Sequence, residues 1–284
     1  MHILLATPFF TSPWDNGRFW IHAFSKTGHT LTVWDYRLEH KPPECDADLT
    51  FVMKGTNSQF TEAINPEILP GKTACLFPDF LQFYPNLQPI FKKYDRLFTT
   101  PIPTPELDWC VWAPGRYEPL IHRDLGMDKK YDTIYVGTLN SAHKEKMIKE
   151  IEPDLVYGDG WVQDHFKHSM VGPAKYLFDY TRAINEAKIA VCVFSPEWGP
   201  CPKPFEMCRI TFTLIEKVPG VPEIFDKKLL DKVGFVTVKE AKEKVNYYLE
   251  NEEERLQLFE KEKEAVAPYT YSNTIEQVLK EMGG

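Results

Sequence analysis

The chain of 284 residues has no apolar run approaching ~20 residues, so the sequence offers nothing that would span a membrane. It has no basic n-region ahead of His2-Ile3-Leu4-Leu5-Ala6-Thr7, and that short apolar stretch does not make a signal peptide. Its six cysteines, at 45, 75, 110, 192, 201 and 208, form no Cys-x-x-Cys pair. They read as reduced, mostly buried thiols, and a cytoplasmic protein is expected. Positive charge is in deficit: 33 Lys and Arg stand against 41 Asp and Glu, for a formal net charge of −8. General affinity for nucleic acid or anionic lipid is thereby disfavoured, though a local basic groove is not. No Asp-x-Asp is placed to hold a metal diphosphate. Asp164, His165 and His168 have metal-compatible spacing but no further ligand, so no metal site is expected. Short-period repeats and low-complexity tracts are absent.

What is present is strand–helix alternation in two series. Residues 2–7, 31–34, 48–53, 73–77, 94–99 and 109–112 read as strands, with a helix over 16–27 that places Phe19, Trp20, Ala23 and Phe24 on one face and ends at Gly28. Residues 113–130 carry Pro114, Gly115, Pro119 and Gly126 with little periodicity and read as an interdomain linker. A second series has strands at 132–136, 155–157, 189–194, 211–215 and 235–238, with helices at 144–151 and 173–186. Helices near 239–250, 252–265 and 270–282 finish the chain, and the charge run from Glu252 to Glu264 reads as a solvated face. Alternation of this kind predicts α/β architecture with parallel, doubly wound sheets. At this length two domains of ordinary size are expected.

The most informative stretch is Lys203-Pro204-Phe205-Glu206. It follows the buried strand and a loop of turn formers, Ser195-Pro196-Glu197-Trp198-Gly199, and precedes another strand. Pro204 suits the first turn of a helix. A helix start with a cation and a carboxylate one turn in can receive a nucleotide: free N–H groups take phosphate oxygens, and the carboxylate accepts ribose hydroxyls.

The second half resembles group-1-type glycosyltransferases of the CgeB-like, spore-maturation kind. The matching pieces are Tyr135-Val136-Gly137-Thr138, Lys144, Tyr157-Gly158-Asp159-Gly160-Trp161, the segment from Ile184 to Ala190, Lys203-Pro204-Phe205-Glu206, and the tail around Tyr247-Tyr248 and Tyr269-Thr270-Tyr271. Met53-Lys54-Gly55 and Phe77-Pro78-Asp79 extend the resemblance to the first half. It implies a GT-B fold, with two facing Rossmann-like domains and a C-terminal helix that crosses back to the first. The expected division is an acceptor domain over 1–115, a nucleotide-sugar domain over 131–265 and the crossing helix over 266–284. It implies transfer of a hexosyl or pentosyl group from a nucleotide-diphosphate sugar, with a UDP-sugar as first choice. The acceptor hydroxyl stays open among glycan, protein and hydroxylated DNA base, the last as in phage-type DNA modification. The chain departs from the family in having Lys203 and Lys144 where Arg is usual. Glu197 and Glu206 are also one residue further apart than in the related Glu-x7-Glu pattern.

Within this frame Glu206 is expected at the donor ribose, and Lys203 and Lys144 at the diphosphate. Pro204 and Phe205 complete the helix start, while Gly137, Thr138 and Gly158 allow close backbone approach. Gly17 and Arg18 open the first helix and are expected near the donor phosphates. Asp79, after the fourth strand, is the first candidate for a general base, and His22 the second. Phe9, Phe10 and Trp14 could stack on a sugar or base face. No cofactor beyond the donor and no metal is expected, protein cations and helix ends doing the work of a divalent ion. Two rivals share this build: a non-catalytic nucleotide-sugar binding protein and a sugar-nucleotide epimerase.

Overall fold

The computed structural model of the chain describes residues 1–8, 17–53, 63–78, 81–195 and 202–283. They form two compact units, Met1–Pro114 with Thr270–Gly284, and Gly115–Tyr269.

In the first unit β1 (His2–Ala6), α1 (Gly17–Ser25), β2 (Thr30–Trp34), β3 (Leu49–Met53), β4 (Lys72–Phe77), α2 (Gln88–Phe91), β5 (Arg96–Thr99) and β6 (Cys110–Trp112) build a parallel sheet. Its order is β2-β1-β3-β4-β5-β6. Leu5 pairs with Val33 on one side and Phe51 on the other, so the order turns back on itself at β1. Side chains alternate between two buried faces, as a doubly covered parallel sheet requires. Phe51 meets Trp20 and Phe24 of α1, at ring separations of 5.2 and 5.6 Å. Its neighbour Val52 faces the other way, into a cluster with Leu4, Cys75, Phe77, Phe91 and Leu97.

The second unit continues with β7 (Tyr131–Val136), α3 (Ala142–Ile151), β8 (Leu155–Tyr157), β9 (Met170–Gly172), α4 (Leu177–Asn185), β10 (Ala187–Cys192), α5 (Lys203–Met207), β11 (Phe212–Glu216), α6 (Lys227–Val233), β12 (Gly234–Phe235), α7 (Val238–Glu250) and α8 (Glu252–Val266). The sheet is again parallel, in the order β12-β11-β10-β7-β8-β9. Read from β9, this is the dinucleotide-fold order 3-2-1-4-5-6, with its switch point between β7 and β10. Finally α9 (Tyr271–Glu281) belongs to the first unit, where Tyr271 packs against Phe19 and Trp20 of α1.

Three details differ from the sequence reading. Residues 115–130 are part of the second unit, and Arg116, Glu118 and His122 within them are buried. The helix expected from residue 173 begins at Leu177, and β9 and α6 were not foreseen. The charge run is not solvated throughout: Arg255 and Glu262 lie with Leu258, Phe259 and Val266 on the buried face of α8.

Candidate functional site

The switch point of the second sheet is where ligands of such folds bind, at the carboxyl ends of the strands. Here Gly137 follows directly on the end of β7. Its N–H donates to the Tyr157 carbonyl at 2.8 Å, and its own carbonyl accepts the Trp161 indole N–H at 2.6 Å. A side chain at 137 would displace its neighbours. A Cβ would collide with the Lys203 ammonium and come within 2.6 Å of the Tyr135 hydroxyl. A Cβ at Gly158 would run into the Gly137 carbonyl in turn. The two glycines therefore bring three segments together: the turn after β7, the turn after β8, and the start of α5. Lys203 Nζ stands 5.8 Å from the centre of the Tyr135 ring, so the cation is supported from beneath by an aromatic face.

Beside it, the loop 138–141 leads into α3. The Ser141 hydroxyl caps the helix by accepting the Lys144 N–H at 3.2 Å. Lys144 is 6 % exposed, and its ammonium donates to Asn140 Oδ1 at 2.7 Å and to the Thr138 carbonyl at 3.4 Å. Ser195, just past β10, donates to Asn140 Oδ1 at 2.9 Å and lies 3.2 Å from the Ser141 hydroxyl. Lys144 thus works from inside, tying the loop to the strand ends. Thr138 is exposed on the outer side of that loop. One residue earlier, His143 meets the buried Glu216 at 2.5 Å, and the other Glu216 oxygen accepts the Phe194 N–H at 2.8 Å. This carboxylate joins the ends of β10 and β11 to the first turn of α3.

The helix start at Lys203 is less open than the sequence suggested. Pro204 has no N–H, and the amides of Phe205 and Glu206 both turn back to the Pro202 carbonyl, at 3.0 and 3.2 Å. A bound anion would therefore meet the Lys203 side chain rather than a row of free amides. Phe205 is fully buried, its ring 5.1 Å from that of Tyr269 and pressed against Gly115. It was expected at the donor and instead anchors α5 in the core, a contribution of about 1.5–3 kcal/mol. Pro204 is buried with it. Glu206 keeps 14 % of its side chain exposed and lies with Oε1 3.7 Å from His122 Nε2. Burial pushes the His122 imidazole below its ordinary value, while the carboxylates of Glu206 and Glu118 partly pull it back.

The glycosyl transferase-like family matches residues 139–280, half of the chain and all of the site from Asn140 onward. The chain belongs to this family. Its fold is that of known GT-B structures. Similar ones are the DNA-modifying enzyme β-glucosyltransferase, studied with and without uridine diphosphoglucose (TM-score 0.71, 13 % identity, 100 % of both chains); T4 phage BGT in complex with UDP and Mn2+ (TM-score 0.67, 12 % identity, 99 % of both chains); and sucrose-phosphate synthase from Thermosynechococcus elongatus (TM-score 0.66, 10 % identity, 99 % of both chains). No curated protein matches the sequence.

In this glycosyltransferase the remaining expected residues fall in the first unit. Gly17 is the buried first residue of α1, Arg18 beside it is exposed, and His22 is half-buried one turn on. Phe9, Phe10, Trp14 and Asp79 lie outside the described residues, as does Glu197. Among the described residues no group of three His, Cys, Asp or Glu side chains is gathered as a metal would need. The backbone amides of Lys167 and His168 donate to the Glu152 carboxylate instead.

Several contributors escaped the sequence reading. His122 sat in a segment that looked like linker. Asn140, Ser195, His143 and Glu216 are brought together only by the parallel pairing of β10 with β7 and β11. The one signal available was Ser141, which stands three residues before Lys144 at a helix start.

Proposed function

We propose that this glycosyltransferase takes its sugar from a nucleotide diphosphate, UDP first, and passes it to an acceptor hydroxyl without help from a divalent ion. The observation that carries the reading is the Lys203 ammonium, held over Gly137 at the switch point by the Tyr135 ring and by α5. Transfer of the sugar leaves negative charge on the departing diphosphate. A fixed cation there stabilises the transition state more than the ground state, typically by a few kcal/mol. Glu206, four residues into the same segment, accepts the ribose hydroxyls, and Thr138 with the glycine turns lets the backbone approach the phosphates. The UDP and UDP-glucose complexes of T4 phage BGT, alike in fold over 99 % of both chains, support a uridine donor.

Asp79 of the first unit is the proposed base for the acceptor proton, with His22 as second choice. The acceptor is a glycan, a protein or a hydroxylated DNA base. The fold shared with the DNA-modifying β-glucosyltransferase makes DNA carrying a hydroxylated base the first to assay. The finer affinity is with the CgeB-like branch, and the site of action is the cytoplasm.

The deciding experiment is a thermal-shift screen of UDP-, GDP-, ADP- and dTDP-sugars, followed by transfer assays in excess EDTA. A ligand at 100 times its Kd stabilises by about 2.7 kcal/mol. Stabilisation by a UDP-sugar and turnover that survives EDTA are expected. Turnover lost in EDTA and restored by Mn2+ contradicts the metal-free part. Stabilisation by another nucleotide alone contradicts the uridine part.

A further inference from the structure

The segment 115–130 carries a buried group that has no part in the proposed glycosyl transfer. His122 is 3 % exposed, and its ring is fixed on two sides. The Glu118 backbone N–H donates to Nδ1 at 3.0 Å, and Tyr180 stands edge-on to the ring at 6.0 Å and 89°. In the tautomer that accepts this amide proton at Nδ1, the neutral ring carries its own proton on Nε2. That nitrogen is the one 3.7 Å from Glu206 Oε1. The separation is longer than a formed hydrogen bond. Contacts of this kind in ligand-free sites commonly tighten when the ligand arrives.

The geometry points to His122 as a positioning residue for Glu206, donating from Nε2 to Oε1 so that the rest of the carboxylate faces the two hydroxyls of a nucleotide ribose. The inference rests on the reading of Glu206 as the ribose acceptor. Its logic is one of lone pairs. A carboxylate has about four acceptor positions, so one can be given to an orienting donor while two receive ribose hydroxyls. A neutral donor orients the carboxylate without the charge neutralisation that a buried Lys or Arg would bring. The Glu118 carboxylate, which accepts the Leu120 N–H at 3.3 Å, belongs to the same buried turn and keeps the Nδ1 side of the ring in register.

Two amides separate the two ends of the ring. In His122→Asn the side-chain oxygen can still receive the Glu118 N–H, but nothing reaches Glu206. In His122→Gln the amide nitrogen reaches toward Glu206. Calorimetry of the full chain with UDP and with 2′,3′-dideoxy-UDP reads the ribose preference of each variant as a ratio. Within each variant, any general loss of stability acts on both ligands alike. Wild type should prefer UDP by about tenfold or more, since hydrogen bonds to a charged group contribute roughly 1.5–3 kcal/mol. His122→Asn should lose most of that preference, and His122→Gln should keep it within about threefold. Preference retained in His122→Asn, or lost equally in both variants, overturns the positioning role alone. Wild type that binds UDP and dideoxy-UDP equally overturns the ribose reading of Glu206 and this inference with it.

Discussion

The two units share a parallel six-stranded sheet but bury very different things. Among the described residues the first unit encloses one acidic or basic side chain, Asp35, within a core dominated by Trp20, Phe24, Phe51, Phe77, Phe91 and Phe98. The second encloses Arg116, Glu118, His122, Lys144, Glu216, Arg255 and Glu262. Buried charge is costly unless it is paired, and even a well-paired ion pair rarely adds stability over apolar packing. Lys144 bonds the loop after β7, Glu216 ties the ends of β10 and β11 together, and His122 faces Glu206 of α5. The second unit therefore holds a polar site already assembled, whereas the described part of the first is an apolar scaffold, and its candidate base Asp79 lies outside the described residues.

That contrast can be broken from either side. The largest effect is expected at Asp79. As the proposed base it acts on the acceptor proton in the transition state, so Asp79→Asn should lower kcat by about 10²–10⁴. Donor affinity measured by calorimetry should barely move, because the proposed donor site is on the other unit. Near-normal turnover would transfer attention to His22.

Next comes the apolar scaffold itself. Trp20 is fully buried against Phe24, Phe51 and Tyr271. Trp20→Ala should cost about 3–5 kcal/mol in denaturant unfolding, a large share of the stability of an ordinary domain. A cost under about 1 kcal/mol would mean that the aromatic core is not what holds the first unit together.

The smallest effect concerns Glu262, fully buried under β11, where it accepts the Thr213 N–H at 3.0 Å with the Cys208 thiol nearby. Burial holds its carboxyl well above the ordinary value of 4.5. Above 4.5 the unfolded chain releases a proton that the folded chain keeps, so this group makes stability fall as pH rises. Glu262→Gln should flatten that fall, read as unfolding free energies compared between acidic and mildly alkaline pH. His122 works in the opposite sense. Its folded value lies below 6.5, so stability is lost as pH drops through that point. Unfolding curves of Glu262→Gln with the same pH slope as wild type would show that Glu262 is charged in the fold.

Local features of this molecule were legible in the sequence, and features assembled across the sheet were not. Apolar runs such as Ile189–Phe194 announce buried strands because a parallel sheet is covered on both faces. Gly137, Lys203 and Glu206 stood out because their surroundings are short and contiguous. His122 and Glu216 depend on partners far away in sequence, and no spacing rule reaches that distance. The segment 115–130 looked like linker since its prolines and glycines erase periodicity, yet Arg116, Glu118 and His122 anchor it. In α8 the charges hid a helical face, because Arg255 and Glu262 occupy positions that periodicity assigns to apolar residues. Strand β9 is three residues long, with Met170 exposed, too short for alternation to show. The missed helix α6 did carry a signal: Asp226 caps it by accepting the Lys228 and Leu229 amides, with Leu229, Leu230 and Val233 buried behind.

The second unit is proposed to hold the donor through Glu206 beside Lys203. Calorimetric titration of UDP into the full chain, wild type against a folded Glu206→Ala variant, tests it most directly. Affinity should weaken about tenfold or more, through the loss of charge-assisted hydrogen bonds to the ribose. An unchanged dissociation constant would contradict it.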